Sequence, residues 1–206
     1  TNEDYLLRIF SMPAKYGAVS KACIIPDFQV SNWNQERVPN PFSLNLYVAS
    51  YDSNKNFVTC NEAIKENIRT YLRAYRLMTD AVNIRDLHII NFSVEIEVIA
   101  RPDQNSNEVL LRVVDEAIKI FDNDRMSPNS PIIISSITSQ LDKIEGVLSI
   151  VSIKFINELD TNLGYAGNAY DFPTAIRGGV VYPSVDCSIF ECRFPKRDIK
   201  VRILDI

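Results

Sequence analysis

The stretch that decides the fold runs from Leu87 to Arg101 and reads LHIINFSVEIEVIAR. From Asn91 to Val98 apolar and polar side chains alternate strictly. The apolar positions are Phe92, Val94, Ile96 and Val98, and the polar ones are Asn91, Ser93, Glu95 and Glu97. Because strand side chains point alternately to opposite faces, this pattern predicts a half-buried strand. Another part of the chain must cover its apolar face.

The residues after this strand predict a helix that supplies the cover. Pro102 removes a hydrogen-bond donor from the ladder, and Asn105 followed by Glu108 has the spacing of a helix cap. Apolar residues then recur at spacings of three and four: Val109, Leu110, Val113, Val114, Ala117, Ile118 and Phe121. We therefore expect one apolar stripe of this helix to face the strand.

A shorter helix and a second strand complete the predicted module. Ser136–Glu145 has helical character and is closed by Gly146, a residue that favours the left-handed cap conformation. Val147–Ile156 then returns as a strand. The prediction for residues 86–157 is strand, helix, short helix and strand, with the helices on one side of a small sheet.

The residues before this module predict a first α/β subdomain, 1–85. Its predicted elements are a helix at Asn2–Met12, strands at Ala18–Ile25 and Leu44–Tyr51, and a long helix at Asn61–Leu77. On that long helix Lys65, Glu66, Arg69 and Arg73 are predicted to face solvent. Pro26–Pro41, which contains the only tryptophan, Trp33, is predicted to be a loop.

Residues 158–206 have a different composition and are predicted to form a Gly- and aromatic-rich arm with short strands at Ser188–Phe194 and Ile199–Leu204. The predicted fold class is therefore α+β. Small sheets are covered by helices in the order α-β-β-α and then β-α-α-β, with ferredoxin-like character, and a β-rich C-terminal arm follows.

Composition limits the classes of partner. The 206 residues are 46% hydrophobic and 23% charged, which is ordinary for a globular chain, and the net charge is −4. Without clustered Lys and Arg we expect neither nucleic acid nor an anionic membrane as partner. No stretch of about 18 apolar residues and no signal-peptide pattern occurs, so a cytosolic chain is expected. The four scattered cysteines are predicted to be reduced, mostly buried thiols. The chain begins at Thr1 and not at Met, which indicates a fragment of a longer polypeptide.

Two sets of titratable residues are candidates for chemistry. His88, the only histidine, offers one general base or ligand, although a strand histidine beside isoleucines is more often packed or edge-exposed. Glu95 and Glu97 share a strand face with Cα atoms roughly 7 Å apart, which suits paired catalytic carboxylates. Polar alternation on a solvated sheet face predicts the same two residues. We expect no enzyme activity.

No metal or cofactor motif is complete. Asp122–Ser127 and Asp52–Asn56 resemble the start of a calcium loop, but both lack the Gly at position six and the Glu at position twelve. Cys187 and Cys192 are too few for a zinc site. Arg177-Gly178-Gly179 lacks the strand-to-helix context and the Lys-Ser/Thr pair of a phosphate loop. We therefore expect no catalytic residue, no cofactor and no metal ligand.

An interaction surface is the remaining candidate site. Aromatic residues and Arg in a segment punctuated by glycines offer a large contact area for a partner. The candidate interface residues are Tyr165, Tyr170, Phe172, Arg177, Tyr182 and Phe190. Such segments also pack on their own domain, and residue types alone favour neither interpretation.

Three ordered stretches and a closing one resemble the baseplate-J family of contractile phage tails, and more closely the wedge proteins of T-even-type phages. They are Glu3–Pro26; Tyr75–Asp86 with the alternating strand and Arg101-Pro102; Pro131–Val147; and Val181–Glu191 with Arg197–Lys200. The resemblance covers nearly the whole chain. Cys187 and Cys192 depart from it, since Pro and an aliphatic or polar residue are expected there.

The resemblance implies a structural role and no catalytic residue. By similarity, this is the C-terminal part of a longer wedge subunit that associates with itself, as a homodimer or through ring contacts, and with other wedge proteins. The subunits form the ring around the tail hub. The protein is then expected in the virion tail baseplate, assembled in the host cytoplasm. The alternative is a small-molecule-binding regulatory domain or minor enzyme on a ferredoxin-like sheet.

Overall fold

A computed structural model describes residues 2–26, 43–75, 81–184 and 187–204. These form two compact units: unit 1 is Thr1–Ile89 with Ser184–Ile189, and unit 2 is Ile90–Pro183 with Phe190–Ile206. The predicted division was 1–85, 86–157 and 158–206. In the structure the predicted arm is not a separate body, since most of it belongs to unit 2. The predicted loop with Trp33 lies outside the described residues.

Unit 1 is a four-stranded sheet with helices packed on it. Its elements are α1 (Asn2–Phe10), β1 (Lys21–Pro26), β2 (Ser43–Tyr51), β3 (Phe57–Thr59), α2 (Glu62–Arg73) and β4 (Ala81–Asp86). Strand β2 is central, with β1 and β3 antiparallel to it and β4 parallel to it. Strands β3 and β4 were not predicted, so the predicted order α-β-β-α is not the observed one.

The core of unit 1 lies between this sheet and its helices. Its buried members are Tyr5, Ile9, Ala22, Leu46, Val48, Cys60, Ile68 and Leu72. Asn61 caps α2 by accepting a hydrogen bond from the Ile64 amide at 2.8 Å. The prediction that Lys65 faces solvent is wrong. Its ammonium is nearly buried between Asp86 at 2.8 Å and Glu62 at 2.9 Å, and these hydrogen bonds raise the pKa of Lys65.

Unit 2 is built on the strand with alternating apolar and polar residues, Asn91–Val98. Its elements, of which β5 and β10 begin in unit 1, are β5 (His88–Ala100), α3 (Ser106–Ile120), β6 (Ile132–Ile133), α4 (Ile134–Leu141), β7 (Val147–Asn157), α5 (Phe172–Ala175), β8 (Ile176–Arg177), β9 (Val180–Val181), β10 (Ser188–Glu191), α6 (Pro195–Asp198) and β11 (Ile199–Leu204). β5 pairs with β7, β10 and β11, and a small second sheet has the order β6-β9-β8. The α+β class is confirmed.

The alternation in β5 has the predicted consequence. Phe92, Val94, Ile96 and Val98 are each at most 1% exposed, and they share a core with Val109, Val113 and Ala117 of α3 and with Ile137 and Leu141 of α4. Asn105 caps α3 by accepting from the Asn107 amide at 3.0 Å. Gly146 has φ +94°, and a Cβ there would lie 2.5 Å from Val109 Cγ2. Position 146 therefore requires glycine for both conformation and space.

The cysteine prediction is half wrong. Cys23 of β1 and Cys187 form a disulfide with Cα atoms 6.7 Å apart, and both belong to unit 1. Cys60 and Cys192 are buried free thiols, as expected. Burial raises the pKa of Cys60 to about 11 and raises that of Cys192 as well, so both stay protonated at neutral pH.

Candidate interaction surface

Three of the six predicted interface residues lie in the core of unit 2. Tyr165 is 5% exposed, Phe172 1% and Phe190 2%. Phe172 and Phe190 pack around Phe92, with ring centroids 6.2 and 6.4 Å from it. Side chains this deeply buried stabilise their own fold and present no contact area to a partner. The predicted surface is thereby reduced to Tyr170, Arg177 and Tyr182.

Tyr165 belongs to a buried polar cluster where α6 leads into β11. Its hydroxyl donates to Asp198 Oδ1 at 2.6 Å, and Asp198 Oδ2 accepts from the Phe194 amide at 2.9 Å. The Arg197 guanidinium lies 5.1 Å from the Tyr165 ring centroid and 4.4 Å from that of Phe194. Burial, and then the hydrogen bond to Asp198, raise the pKa of Tyr165 to about 12.

Tyr170 attaches the end of the small sheet to the core. Its backbone amide donates to Asn157 Oδ1 at 2.8 Å, and its ring centroid lies 4.8 Å from that of Phe172. Its hydroxyl donates to the Tyr182 carbonyl. Burial raises the pKa of Tyr170, so the phenol remains a donor at neutral pH. Tyr170 is half-buried and positions Tyr182.

Arg177 and Tyr182 are the exposed members of the predicted set, and they belong to one hairpin. Gly178 and Gly179 join β8 to β9 with φ +59° and +77°, the pair of positive values that a tight two-residue hairpin turn needs. Nothing lies within 4 Å of a Cβ built at either glycine, so conformation alone requires them. Arg177-Gly178-Gly179 is therefore a turn between two strands.

The β8–β9 hairpin is fixed along its length. β9 pairs on one side with β8 and on the other with β6, where Ile132 lies opposite Val181. The Ile134 amide at the start of α4 donates to the Gly179 carbonyl at 2.9 Å. Arg177 lies on β8, which pairs with β9 along one edge, and Tyr182 directly follows β9, the strand that is paired on both edges.

Large apolar side chains are exposed in both units. In unit 1 they are Leu7, Phe10 and Tyr75, and in unit 2 they are Leu111, Ile133, Leu148, Val151, Ile156, Leu159, Leu163 and Tyr182. Exposed apolar patches of this kind mark interaction sites when they are contiguous. Sequence reasoning missed Leu159 and Leu163, although Asp160, Asn162 and Gly164 place both in a turn at the surface.

The candidate carboxylates lie on the open face of the unit 2 sheet, each with a cross-strand partner. Glu95 Oε1 lies 3.5 Å from Lys200 Nζ, and the Ser152 hydroxyl donates to Glu97 Oε2 at 2.6 Å. This hydrogen bond, then the nearby Lys154 and Arg202, lower the pKa of Glu97 against the opposing effect of burial. His88 is half-buried, and its backbone amide donates to the Cys187 carbonyl at 3.2 Å.

The two calcium-loop look-alikes are turns. Asp52 Oδ1 accepts from the amides of Asn54 and Asn56, and Asp122 Oδ1 accepts from that of Asp124. Among residues 2–26, 43–75, 81–184 and 187–204, no group of three or more His, Cys, Asp or Glu side chains is placed to hold a metal ion. No helix within those ranges is long and apolar enough to cross a membrane.

Comparison with known proteins gives likenesses to solved structures only. No family model matches the sequence, and no curated protein matches it. Among solved structures, the chain is similar to one in the cryo-EM structure of the anti-feeding prophage (AFP) baseplate, 6-fold symmetrised. The identity is 9% and the TM-score 0.47 over 100% of this chain. This chain spans 37% of the length of that one.

Unit 2 also contains a cavity of about 240 Å³ between the end of α3 and α4. Phe121, Ile137 and Phe190 supply apolar walls, and Arg125 and Ser136 supply polar groups. None of His88, Glu95 and Glu97 lines it. The cavity is smaller than most sites for drug-sized ligands.

Proposed function

We propose that this chain is a structural subunit of a contractile phage tail baseplate, without a catalytic role. It associates with itself and with other wedge proteins to form the ring around the tail hub. It acts in the virion tail after assembly in the host cytoplasm. The ordered sequence stretches that resemble the baseplate-J family support this role.

The observation that carries the proposal is the exposed pair Arg177 and Tyr182 on the fixed β8–β9 hairpin. Arg and Tyr are among the residues that contribute most to binding at protein interfaces. A hairpin whose second strand is paired on both edges loses little conformational freedom when a partner binds, which favours affinity. The hairpin therefore has the residue types and the rigidity of an assembly contact.

One resembling stretch also builds the support of this hairpin. Pro131–Val147 contains β6, which pairs with β9, and α4, whose first amide bonds to the carbonyl of Gly179. The stretch ends with Gly146, whose φ of +94° allows the return into β7. Residues 131–147 therefore support the backbone of the proposed contact surface.

The test is a double substitution, Arg177→Ala with Tyr182→Ala, in the full-length subunit during tail assembly. We expect a folded protein with weakened assembly, since loss of an interface hot spot costs about 2 kcal/mol or more, roughly thirty-fold in affinity. The matched control is Leu111→Ala with Lys119→Ala, which removes an exposed apolar and a basic side chain from α3. Electron microscopy of purified tails reports assembly, and circular dichroism reports folding.

Equal assembly by both double variants would reject the hairpin as the contact. Absence of the protein from purified tails would reject the baseplate role itself. Deleting residues 158–206 is a poor test, because it removes β10 and β11 from the sheet that holds the core of unit 2. Light scattering on the 206-residue chain across a wide concentration range tests self-association directly.

The rival function is a small-molecule-binding regulatory domain or minor enzyme on a ferredoxin-like sheet. The cavity between α3 and α4 favours it, since apolar walls with a few polar groups are typical of ligand sites. Substituting Ile137→Trp is expected to fill that cavity. If the variant folds and assembles normally, the cavity has no part in assembly and a ligand screen becomes the next experiment.

A further inference from the structure

Strand β7 is a long edge of the unit 2 sheet. It runs from Val147 to Asn157 and pairs with β5 along one side. Within the described part of the chain no other strand pairs with it. Edge strands of natural proteins are usually short, charged or covered, because their free backbone groups pair with other chains.

The first half of β7 is irregular and partly closed. The register with β5 shifts between Glu97 and Val98, which leaves Val151 as the extra residue of a bulge. The Ile150 amide is bonded to Asp142 Oδ1 at 3.2 Å. A further strand therefore finds no regular ladder in this half.

The second half of β7 is regular. From Ser152 opposite Glu97 to Ile156 opposite Ser93, the register with β5 runs without a shift. In an antiparallel pair every second residue directs its N–H and C=O away from the partner strand. In the described ranges these outward groups of Ser152–Ile156 have no backbone partner. They offer a short template for one more strand.

Charges alternate across the open face of this sheet, strand by strand. Opposite Glu95 of β5 lie Lys154 of β7 on one side and Lys200 of β11 on the other. The row therefore reads basic, acidic, basic, and ends at β7 with an exposed Lys154. The next row has Ile156 at the same edge, 41% exposed.

From this edge we infer that Ser152–Ile156 of β7 binds an extended acidic segment of another protein as an added strand. The segment places an Asp or Glu opposite Lys154, which continues the alternation of charge, and an aliphatic residue opposite Ile156. Main-chain hydrogen bonds supply affinity, and the two side-chain positions supply specificity. A like charge opposite Lys154 is disfavoured. This site is separate from the β8–β9 hairpin and does not depend on a baseplate role.

The probe is a blocked nine-residue peptide of alternating Val and Thr with one central Glu, compared with the same peptide carrying a central Lys. Binding to the folded chain is followed by NMR shifts and by amide hydrogen exchange in β7. We expect the Glu peptide to bind roughly two- to five-fold more tightly and to slow exchange of outward amides within Ser152–Ile156.

The variants reverse or remove the charge at the edge. Lys154→Glu is expected to invert the peptide preference, but it also places a second carboxylate beside Glu95. Lys154→Gln avoids that pair of carboxylates and is expected to abolish the preference. Lys196→Glu makes the same charge change on the exposed face of α6 and should leave the preference for Glu intact. Circular dichroism checks that each variant is folded.

Four outcomes overturn the inference. Equal binding of both peptides would show that charge does not select the strand. Binding that leaves the β7 amides unprotected would place the peptide elsewhere, and no shift at millimolar peptide would mean that the edge does not accept a strand. Slow exchange of the same amides in a concentration-dependent dimer, without peptide, would make a second copy of the chain the occupant.

Discussion

We expect the buried hydrogen bond from Tyr165 to Asp198 to stabilise the fold by an amount that depends on pH. Both side chains are nearly buried, at 5% and 2% exposure, and the oxygen atoms are 2.6 Å apart. Tyr165→Phe removes the hydroxyl donor and leaves a buried carboxylate with one bond fewer. Losing a hydrogen bond to a charged group costs about 1.5 to 3 kcal/mol.

The raised pKa of Tyr165 makes the stability depend on pH, with burial of the phenol as the larger cause and the hydrogen bond to Asp198 as the next. It is raised from 10.0 to about 12, so the folded state holds the phenolic proton more tightly than the unfolded state. The stabilisation is fully present below pH 10 and is lost as the pH rises from about 10 to about 12. A difference of two pKa units corresponds to about 3 kcal/mol, to which burial of the phenol and its hydrogen bond to Asp198 both contribute.

The assay is urea unfolding of the wild type and Tyr165→Phe between pH 8 and pH 11. At pH 8 we expect the variant's midpoint to be lower by about 1 M, taking a slope of about 2 to 3 kcal/mol per molar. At pH 11 the wild type has lost about half of the stabilisation, so the gap should halve. Tyr182→Phe, which alters an exposed phenol, should follow the wild type at every pH.

Two results would refute this reasoning. If Tyr165→Phe unfolds at the wild-type midpoint at pH 8, the bond to Asp198 contributes nothing to stability. If the gap is present at pH 8 but unchanged at pH 11, the folded state holds the Tyr165 proton no more tightly than the unfolded state, and the pKa of Tyr165 is not raised.

Three further predictions concern folding. Phe92→Ala empties the centre of a ring cluster that includes Phe121 and Phe155, and should lower the free energy of unfolding by about 3 to 5 kcal/mol in urea titrations. Cys23→Ser should lower the thermal midpoint and abolish its response to reductant, since a disulfide across 164 residues contributes up to about 5 kcal/mol. Gly146→Ala should lower the free energy of unfolding by about 2 to 4 kcal/mol, and Gly179→Ala by about 1 to 2 kcal/mol. Both glycines have positive φ, but only at position 146 would a Cβ collide with a neighbour. Equal losses at the two glycines would contradict the contact with Val109.

Local patterns in adjacent residues predicted the longer elements of unit 2, while the short elements β6, α5, β8, β9 and α6 were not predicted. The alternation from Asn91 to Val98 identified β5 and its buried face, and Asn105 located the start of α3. The observed β11, Ile199–Leu204, has the predicted bounds. Periodicity and capping act over a few residues, so the sequence displays them directly.

Long-range pairings were missed because no local pattern contains them. β4 has mostly half-buried residues without clear alternation and is stabilised by lying parallel to β2. The disulfide joins cysteines that are far apart in the sequence. Lys65 has the sequence position of a solvated residue, but in the fold its ammonium is paired with Glu62 and with Asp86, which is distant in sequence. Tertiary contacts override the local preference in each case.

Three of the six predicted interface residues are buried, because their burial also depends on long-range contacts. An aromatic segment rich in glycine has the composition of a contact surface, but composition does not say which rings point inward. Phe172 and Phe190 are buried because Phe92 and Phe155 offer rings to pack against. Tyr182 follows Val181, which is buried, and its own side chain is exposed.

The pairing of β5 with β11 also has a consequence for how this protein is made. The two strands are parallel and lie about a hundred residues apart in the chain, with Val94 opposite Ile199. At roughly 5 to 20 residues per second, a ribosome needs about 5 to 20 s to extend the chain from one to the other. During that interval β7 can already pair with one edge of β5. The edge of β5 that pairs with β11 has no partner until β11 is synthesised. Nascent chains crowded on one messenger are therefore most prone to mispair at β5, and slower synthesis of residues 158–198 lengthens that exposure.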